Sequence, residues 1–392
     1  MNEPAKQTPR TGAPAQTSSP KRAAAPPRGP RDARLDFFRG LSLNIIFMAH
    51  VLGNSWNNWI PARFGLTDAA DTFVFCSGFA SGLAFYRVFQ SHGPALGTLR
   101  VGYRVWEVYW AHILMTLASA MFGLALAAMI PGSPILGQFG LSSFIDNFER
   151  AAGLLFTLEA QPGRSDILPM YLVMLIAMPA VVLLARIHPL VPVAACLALY
   201  AYVQATDANL QHAAGGWFFN PLAWQVYFFG GFFIASGILP APPRNWMLTA
   251  AAIGFVLFSI LISHFGLRNL GDWAAELRAD LIPRDHKTNL APLRVLHFFC
   301  TAYLVGVAWK SLNDHLQAAW ARPIVLMGQY ALAIFMVGVL MSMLGTAIAN
   351  EWRGGWEMWL AINLGGVAGL YLTAWIARES RSLARRSAPL PA

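Results

Sequence analysis

Apolar residues in this chain gather into runs of about twenty, separated by short polar or Pro/Gly-bearing stretches. About twenty residues is what an α-helix needs to cross the hydrocarbon core of a bilayer. The pattern predicts ten spans, at residues 37–56, 68–89, 103–130, 167–187, 189–206, 220–239, 246–266, 293–311, 323–346 and 356–377. The expected fold class is an all-α polytopic membrane protein of about ten transmembrane helices. No internal repeat and no second globular domain is visible, so residues 34–377 form one membrane domain. Residues 1–33, rich in Pro, Ala, Arg, Thr and Ser, cannot bury a core and are expected to be a disordered tail. They carry no apolar core of a conventional secretory signal. Residues 378–392 form a short basic tail. Three connections on one side are long: 131–166, with one or two interfacial helices or a re-entrant piece; 207–219; and 267–292, a charged stretch running to Lys287 that is expected to be solvated.

Composition supports this picture. The 392 residues are 56% hydrophobic and 12% charged, about half the charge of a soluble domain. The net charge of +9 matters through its placement. With the N-terminus in the cytoplasm, 18 Lys and Arg fall on the cytoplasmic side and nine on the other, while Arg39 lies within the first span. That asymmetry is the positive-inside pattern, and it puts both termini in the cytoplasm. The basic balance is orientational and calls for no nucleic acid. Cys76, Cys196 and Cys300 all fall within spans without metal-ligand spacing and read as small buried residues.

The first span carries the most informative polar groups. Arg39 and His50 are eleven residues apart and return to within about 20° of each other on a helix. Asp36 and Asn54 share the same arc. Polar side chains on a membrane helix must face protein or a water-filled cavity, because lipid exposure is costly. Histidine is suited to proton transfer near neutral pH, and Arg39 can fork onto a carboxylate or phosphate. Two plainer accounts remain: Arg39 pairs with Asp36, or His50 is a structural hydrogen-bond partner.

The second span opens with Thr67, able to cap it, and with Asp68 and Asp71 in the first turn. Gly78 and Gly82 have close-packing spacing. If those glycines press on the first helix, Asp68 and Asp71 come near His50, to orient it or to hold sugar hydroxyls. The third span starts with Arg100 and Arg104, which are snorkelling anchors or a phosphate seat. Glu107 can pair with Arg104, and His112 lies deeper as an inter-helix donor. Asp166 and Tyr171 open the fourth span, Asn220 and Trp224 the sixth, and Arg294 and His297 the eighth. Such residues suit a carbohydrate site, and Trp and Tyr equally suit an interfacial belt. Phosphate loop, dinucleotide turn, metal-ligand spacing and nucleophile elbow are not found.

Taken together, Arg34-Leu-Asp-Phe-Phe-Arg-Gly with His50 and Asn54, the segment from Phe64 to Gly78, Asp166-Ile-Leu-Pro-Met-Tyr171, Phe219-Asn-Pro-Leu-Ala-Trp-Gln225, Arg294-Val-Leu-His297 and Met327-Gly-Gln-Tyr-Ala-Leu-Ala-Ile-Phe335 resemble the OpgC family. That family succinylates osmoregulated periplasmic glucans. The Arg39/His50 pair is also similar to the wider acyltransferase-3 superfamily. The resemblance implies a multi-pass enzyme of the bacterial inner membrane. Its co-substrate would be succinyl-CoA or another acyl-CoA, its acceptor a periplasmic glucan, and it would use no metal. It also implies that His50 is catalytic and Arg39 its required partner. On this basis Asp68 and Asp71 are expected to assist His50. Arg39, Arg100 and Arg104 are expected to hold the donor, and Asn54, Asp166, Tyr171, Asn220, Trp224, Arg294 and His297 the acceptor. The rival classes are a secondary transporter of a glycan or organic anion, and a non-enzymatic scaffold.

Overall fold

The first helix, α1 (Ala33–His50), runs from a charged first turn to His50. The computed structural model describes residues 32–160, 162, 164–212, 215–282, 287–316, 318–352 and 354–386. The expected N-terminal tail therefore lies outside the described residues up to position 31. Residues from Ala33 onward form one unit. Among the described residues the regular structure is helical, except for a two-residue hairpin pairing β1 (Gln211–His212) with β2 (Gly215–Gly216).

After α1 come α2 (Ala69–Ser81), a π-turn at Gly82–Tyr86, and α3 (Arg87–Met129). Gly93 breaks α3 with φ +82°, a conformation glycine adopts without a Cβ clash, and Pro94 follows it. A Cβ on Gly97 would press into the Phe89 ring, so the chain doubles back at this break. The connection expected at 90–102 is therefore a helical hairpin. Three short helices follow: α4 (Ile135–Gln138), α5 (Ser143–Asp146) and α6 (Phe148–Phe156). Then come α7 (Ile167–Ile187), α8 (Leu190–Thr206), α9 (Pro221–Ser236) and α10 (Trp246–Leu261). The chain ends with α11 (His264–Asn269), α12 (Asp272–Leu281), α13 (Pro292–Leu316), α14 (Arg322–Gln329), α15 (Ala331–Glu351) and α16 (Trp356–Arg386).

Four helical runs are long and apolar enough to cross a membrane: 69–129, 167–187, 331–351 and 356–384. Three further apolar helices, Leu190–Thr206, Trp246–Leu261 and Pro292–Ala308, are shorter. A 16-residue helix is about 24 Å long, less than the ~30 Å hydrocarbon core, which is why several of the ten expected spans fall below that length. The outer surface is apolar. Trp246, Met247 and Leu257 on α10 and Tyr103, Leu114 and Met121 on α3 are all exposed, as for helices facing lipid.

Glycines set the closest helix contacts. A Cβ on Gly40 of α1 would meet the Ile324 carbonyl of α14, and one on Gly328 of α14 would meet the Asp36 carbonyl. The same reciprocity joins α2 to α9. Gly78 faces the Phe228 backbone and Gly231 faces the Phe75 carbonyl. The glycines of α2 therefore press on α9, not on α1 as the spacing suggested, because α9 supplies the matching glycine. The span expected at 323–346 is also broken. It becomes α14 and α15, separated at Tyr330, whose ring lies 4.7 Å from the Arg381 guanidinium. The helix expected to end at 377 continues to Arg386.

Candidate functional site

Helix α1 presents His50 at its C-terminal end and Arg39 about 16 Å lower, at 1.5 Å per residue. Each sits among a different set of polar groups.

At the His50 end, the turn into α2 builds a capping box. Asp68 accepts from the Ala70 amide at 2.8 Å, and Asp71 accepts from the Asp68 amide at 2.7 Å. Asp68, not Thr67, is the cap. The Thr67 hydroxyl instead meets His297 Nδ1 at 2.9 Å. Arg294, from the first turn of α13, forks onto Asp71 through Nε at 3.0 Å and Nη2 at 2.5 Å. Its Nη1 donates to the Leu66 carbonyl at 2.8 Å, and Nη2 also lies 3.2 Å from Asp68. Asp71 is fully buried and Arg294 is 4% exposed, so the pair is a clamp closed to a ligand.

Lys287 approaches Asp68 at 2.7 Å from the far end of the chain. Burial alone would raise the Asp68 carboxyl, but the charges of Lys287 and Arg294 outweigh it and hold the group below the usual carboxylate range. Asn220 and Trp224 explain how Lys287 is placed. Trp224 Nε1 donates to the Lys287 carbonyl at 3.1 Å, and Asn220 Nδ2 donates to Asn289 Oδ1 at 2.8 Å. Gln204 and Tyr200 hold the Asn289 and Leu290 carbonyls at 2.7 Å and 2.6 Å. Asn220 and Trp224 are both 0% exposed, so they buttress the Lys287 loop from within the protein.

His50 is half-buried and has no hydrogen-bond partner among the described residues. The charges of Arg164, Lys287 and Asp68 all act on it. Arg164 holds φ +84°, an uncommon and strained value for a residue with a Cβ. Its guanidinium lies 5.1 Å from the Phe139 ring centre, and its Nε is buried without a partner among the described residues. Asp166 stands two residues on. Its carboxyl is pushed up to about 6, by burial first, while Lys287 and Arg164 pull the other way. His50, Asp68, Lys287, Arg164 and Asp166 thus form one mixed-charge group where four chain segments meet. Asn54 has its amide committed elsewhere. Its Nδ2 donates to Asn363 Oδ1 at 2.8 Å and to the Met48 carbonyl at 3.0 Å, and its Oδ1 accepts from Asn363 at 3.1 Å and from the Trp56 amide at 3.1 Å.

Around Arg39 the composition is different. Its nearest acid is Asp36 at 4.0 Å, beyond hydrogen-bonding distance, and its Nε is buried without a partner among the described residues. Tyr171, Cys76 and Arg104 lie within electrostatic range of it. Arg104 pairs with Glu107 at 2.7 Å and lies within electrostatic range of Tyr171. Tyr171 therefore joins Arg39 and Arg104 rather than the group around His50. Arg100 is exposed and makes no ion pair among the described residues. His112, expected to donate between helices, is fully buried with neither ring nitrogen paired among the described residues. No cluster of three metal-binding side chains occurs among the described residues.

Sequence reasoning missed Lys287, which sits in a stretch that reads as solvated, and did not place Arg164 among the site residues. Asn289 and Asn363 were missed as well. The signal for Arg164 was its place in the Arg-Ser-Asp triplet before α7. For Lys287 there was none, since its position depends on four residues distant in the chain.

The family model described as OpgC protein matches residues 31–382, nearly the whole chain. A protein of Rhodopirellula baltica described as an uncharacterized transporter is 34% identical over 113 residues, which is 27% of this chain and 21% of that protein. The chain thus spans about a fifth of the length of that curated relative. No solved structure matches. The matched region holds both ends of the Arg39–His50 axis, and the chain belongs to the OpgC family.

Proposed function

We propose that the protein transfers a succinyl group from cytosolic succinyl-CoA to a hydroxyl of periplasmic glucan, within the bacterial inner membrane. In this reading the helices make ten crossings and both termini are cytoplasmic. The observation that carries it is the pairing on α1 of two polar side chains about 16 Å apart, a half-buried imidazole without a hydrogen-bond partner and a guanidinium with a buried, unpaired Nε, both among the described residues.

The donor enters from the Arg39 end. Arg39 and Arg104, with Tyr171 between them, grip its phosphates, and exposed Arg100 extends the basic track outward. The thioester arm runs along α1 toward His50. There His50 takes the proton of a sugar hydroxyl as the oxygen attacks the thioester carbon. The negative charge that develops on the carbonyl oxygen faces Lys287 and Arg164, cations held in place before the reaction. The carbon–sulfur bond then breaks, the ester forms, and the proton passes from His50 to the departing thiolate. Asp68 and Asp166 balance the two cations. Asp71, Arg294 and His297 hold the α2–α13 junction, while Asn220 and Trp224 act through Lys287. Asn54 fixes the exit of α1.

Proteoliposomes given labelled succinyl-CoA on one face and glucan on the other test this directly. Labelled ester is the expected product. Label moved without ester would support the transporter reading that the Rhodopirellula baltica match favours.

A further inference from the structure

The acyl-transfer reading requires a seat for the acceptor beyond the His50 group itself. The segment between α3 and α7 provides one. A cavity of about 370 Å³ opens there, a size typical of small-ligand sites. Its polar lining includes Asp146, Asn147, Arg150, Glu159 and His212. Phe144 and Ala151 form its floor, and both belong to a buried cluster with Leu155 and Met343, so the base is rigid. Asn147 accepts from the Arg150 amide at 3.1 Å and fixes the first turn of α6.

The side chains of Asp146, Arg150 and Glu159 are exposed and make no hydrogen bond or ion pair among the described residues. Two carboxylates and one guanidinium leave the cavity one negative charge in excess, which disfavours a polyanion such as the donor's phosphates. Flat groups with paired donors or acceptors match neighbouring hydroxyls. Pro162 connects this cavity to the interior. It also lines a second void of about 10 Å³, the size of one water, whose walls include Thr116, Ser119 and Ser165. The hydroxyls of Thr116 and Ser119 are buried and unpaired among the described residues. Ser165 stands beside Arg164, so the polar lining leads from the cavity toward a charge that acts on His50.

We propose that this cavity is the acceptor subsite and that it takes a short, uncharged oligosaccharide; the assignment as acceptor rests on the acyl-transfer reading. The test begins without donor. The full-length protein in nanodiscs is titrated with a panel of short neutral glucose oligomers of differing linkage and with their carboxymethylated derivatives. At least one neutral oligomer binds, and more tightly than its charged derivative. The Arg150→Ala/Glu159→Ala double variant weakens that binding by at least about tenfold. Ser143→Trp, which fills the cavity from an exposed position without substituting any residue of α6, does the same. In turnover, the cavity variants raise the KM for acceptor and leave the KM for donor unchanged. Binding indifferent to both cavity variants, preference for the charged derivative, or no binding by any neutral oligomer overturns the proposal. Normal transfer with cavity-independent binding removes the cavity alone. Cavity-dependent binding with no transfer by the wild type removes the reaction and leaves a sugar site.

Discussion

Individual side chains here divide into those whose bonds are complete and those left open. Arg294 and Asp71 are complete: the pair is buried and shares two short contacts. Removing one partner strands a charge, which costs about 3–5 kcal/mol, whereas replacing both by apolar residues is far less damaging. Arg294→Met should therefore lower the melting temperature in detergent sharply, and Arg294→Met/Asp71→Leu should recover most of the loss; equal instability of both variants would contradict the clamp. His50 is open, with no hydrogen bond to lose among the described residues. His50→Ala should insert and melt like the wild type while succinyl transfer disappears, and retained transfer would remove it from the chemistry. Asp166 gives a test in pH. Its carboxyl titrates near 6, above the ~4 of an unfolded chain, so the folded state binds the extra proton between these values. Stability contributed by this group therefore falls as pH rises from about 4 to 6. The melting temperature of Asp166→Asn should match the wild type at the acid end and exceed it increasingly through that window.

Helices meet through missing side chains. Gly78 on α2 and Gly231 on α9 each sit against the other helix's backbone, and Gly40 and Gly328 do the same for α1 and α14. A Cβ at any of them must displace backbone rather than a flexible side-chain tip. Gly231→Leu should therefore push α9 from α2 and lower expression and thermal stability more than Gly254→Leu on α10, whose added Cβ meets open space. Thermal melts of the two purified variants decide the point. The same geometry bears on the site. Pairing with α9 and α13 fixes the start of α2, which places Asp68 beside Lys287.

Across the whole molecule, α1 joins a basic pair near one end to a mixed-charge group at the other. Acyl transfer along that axis predicts sidedness. Proteoliposomes of uniform orientation should form ester only when thioester and glucan are on opposite faces, and equal yield with both on the outer face would rule out the through-membrane route. Arg39→Lys should raise the donor KM, since a point charge cannot reproduce the guanidinium fork.

Hydrophobic periodicity alone determined the helical membrane class, and the eleven-residue spacing of Arg39 and His50 made their shared face legible, because both are local properties of one helix. The Arg104–Glu107 pair was readable for the same reason. Tertiary structure decided the partners. Arg294 took Asp71, Asn363 took Asn54, and the glycines of α2 turned to α9, each through contacts between residues far apart in the chain. Lys287 was the least legible of all. Its place beside Asp68 is set by the loop that Trp224, Asn220, Gln204 and Tyr200 hold, and no periodicity within a single segment encodes a position that two other helices supply.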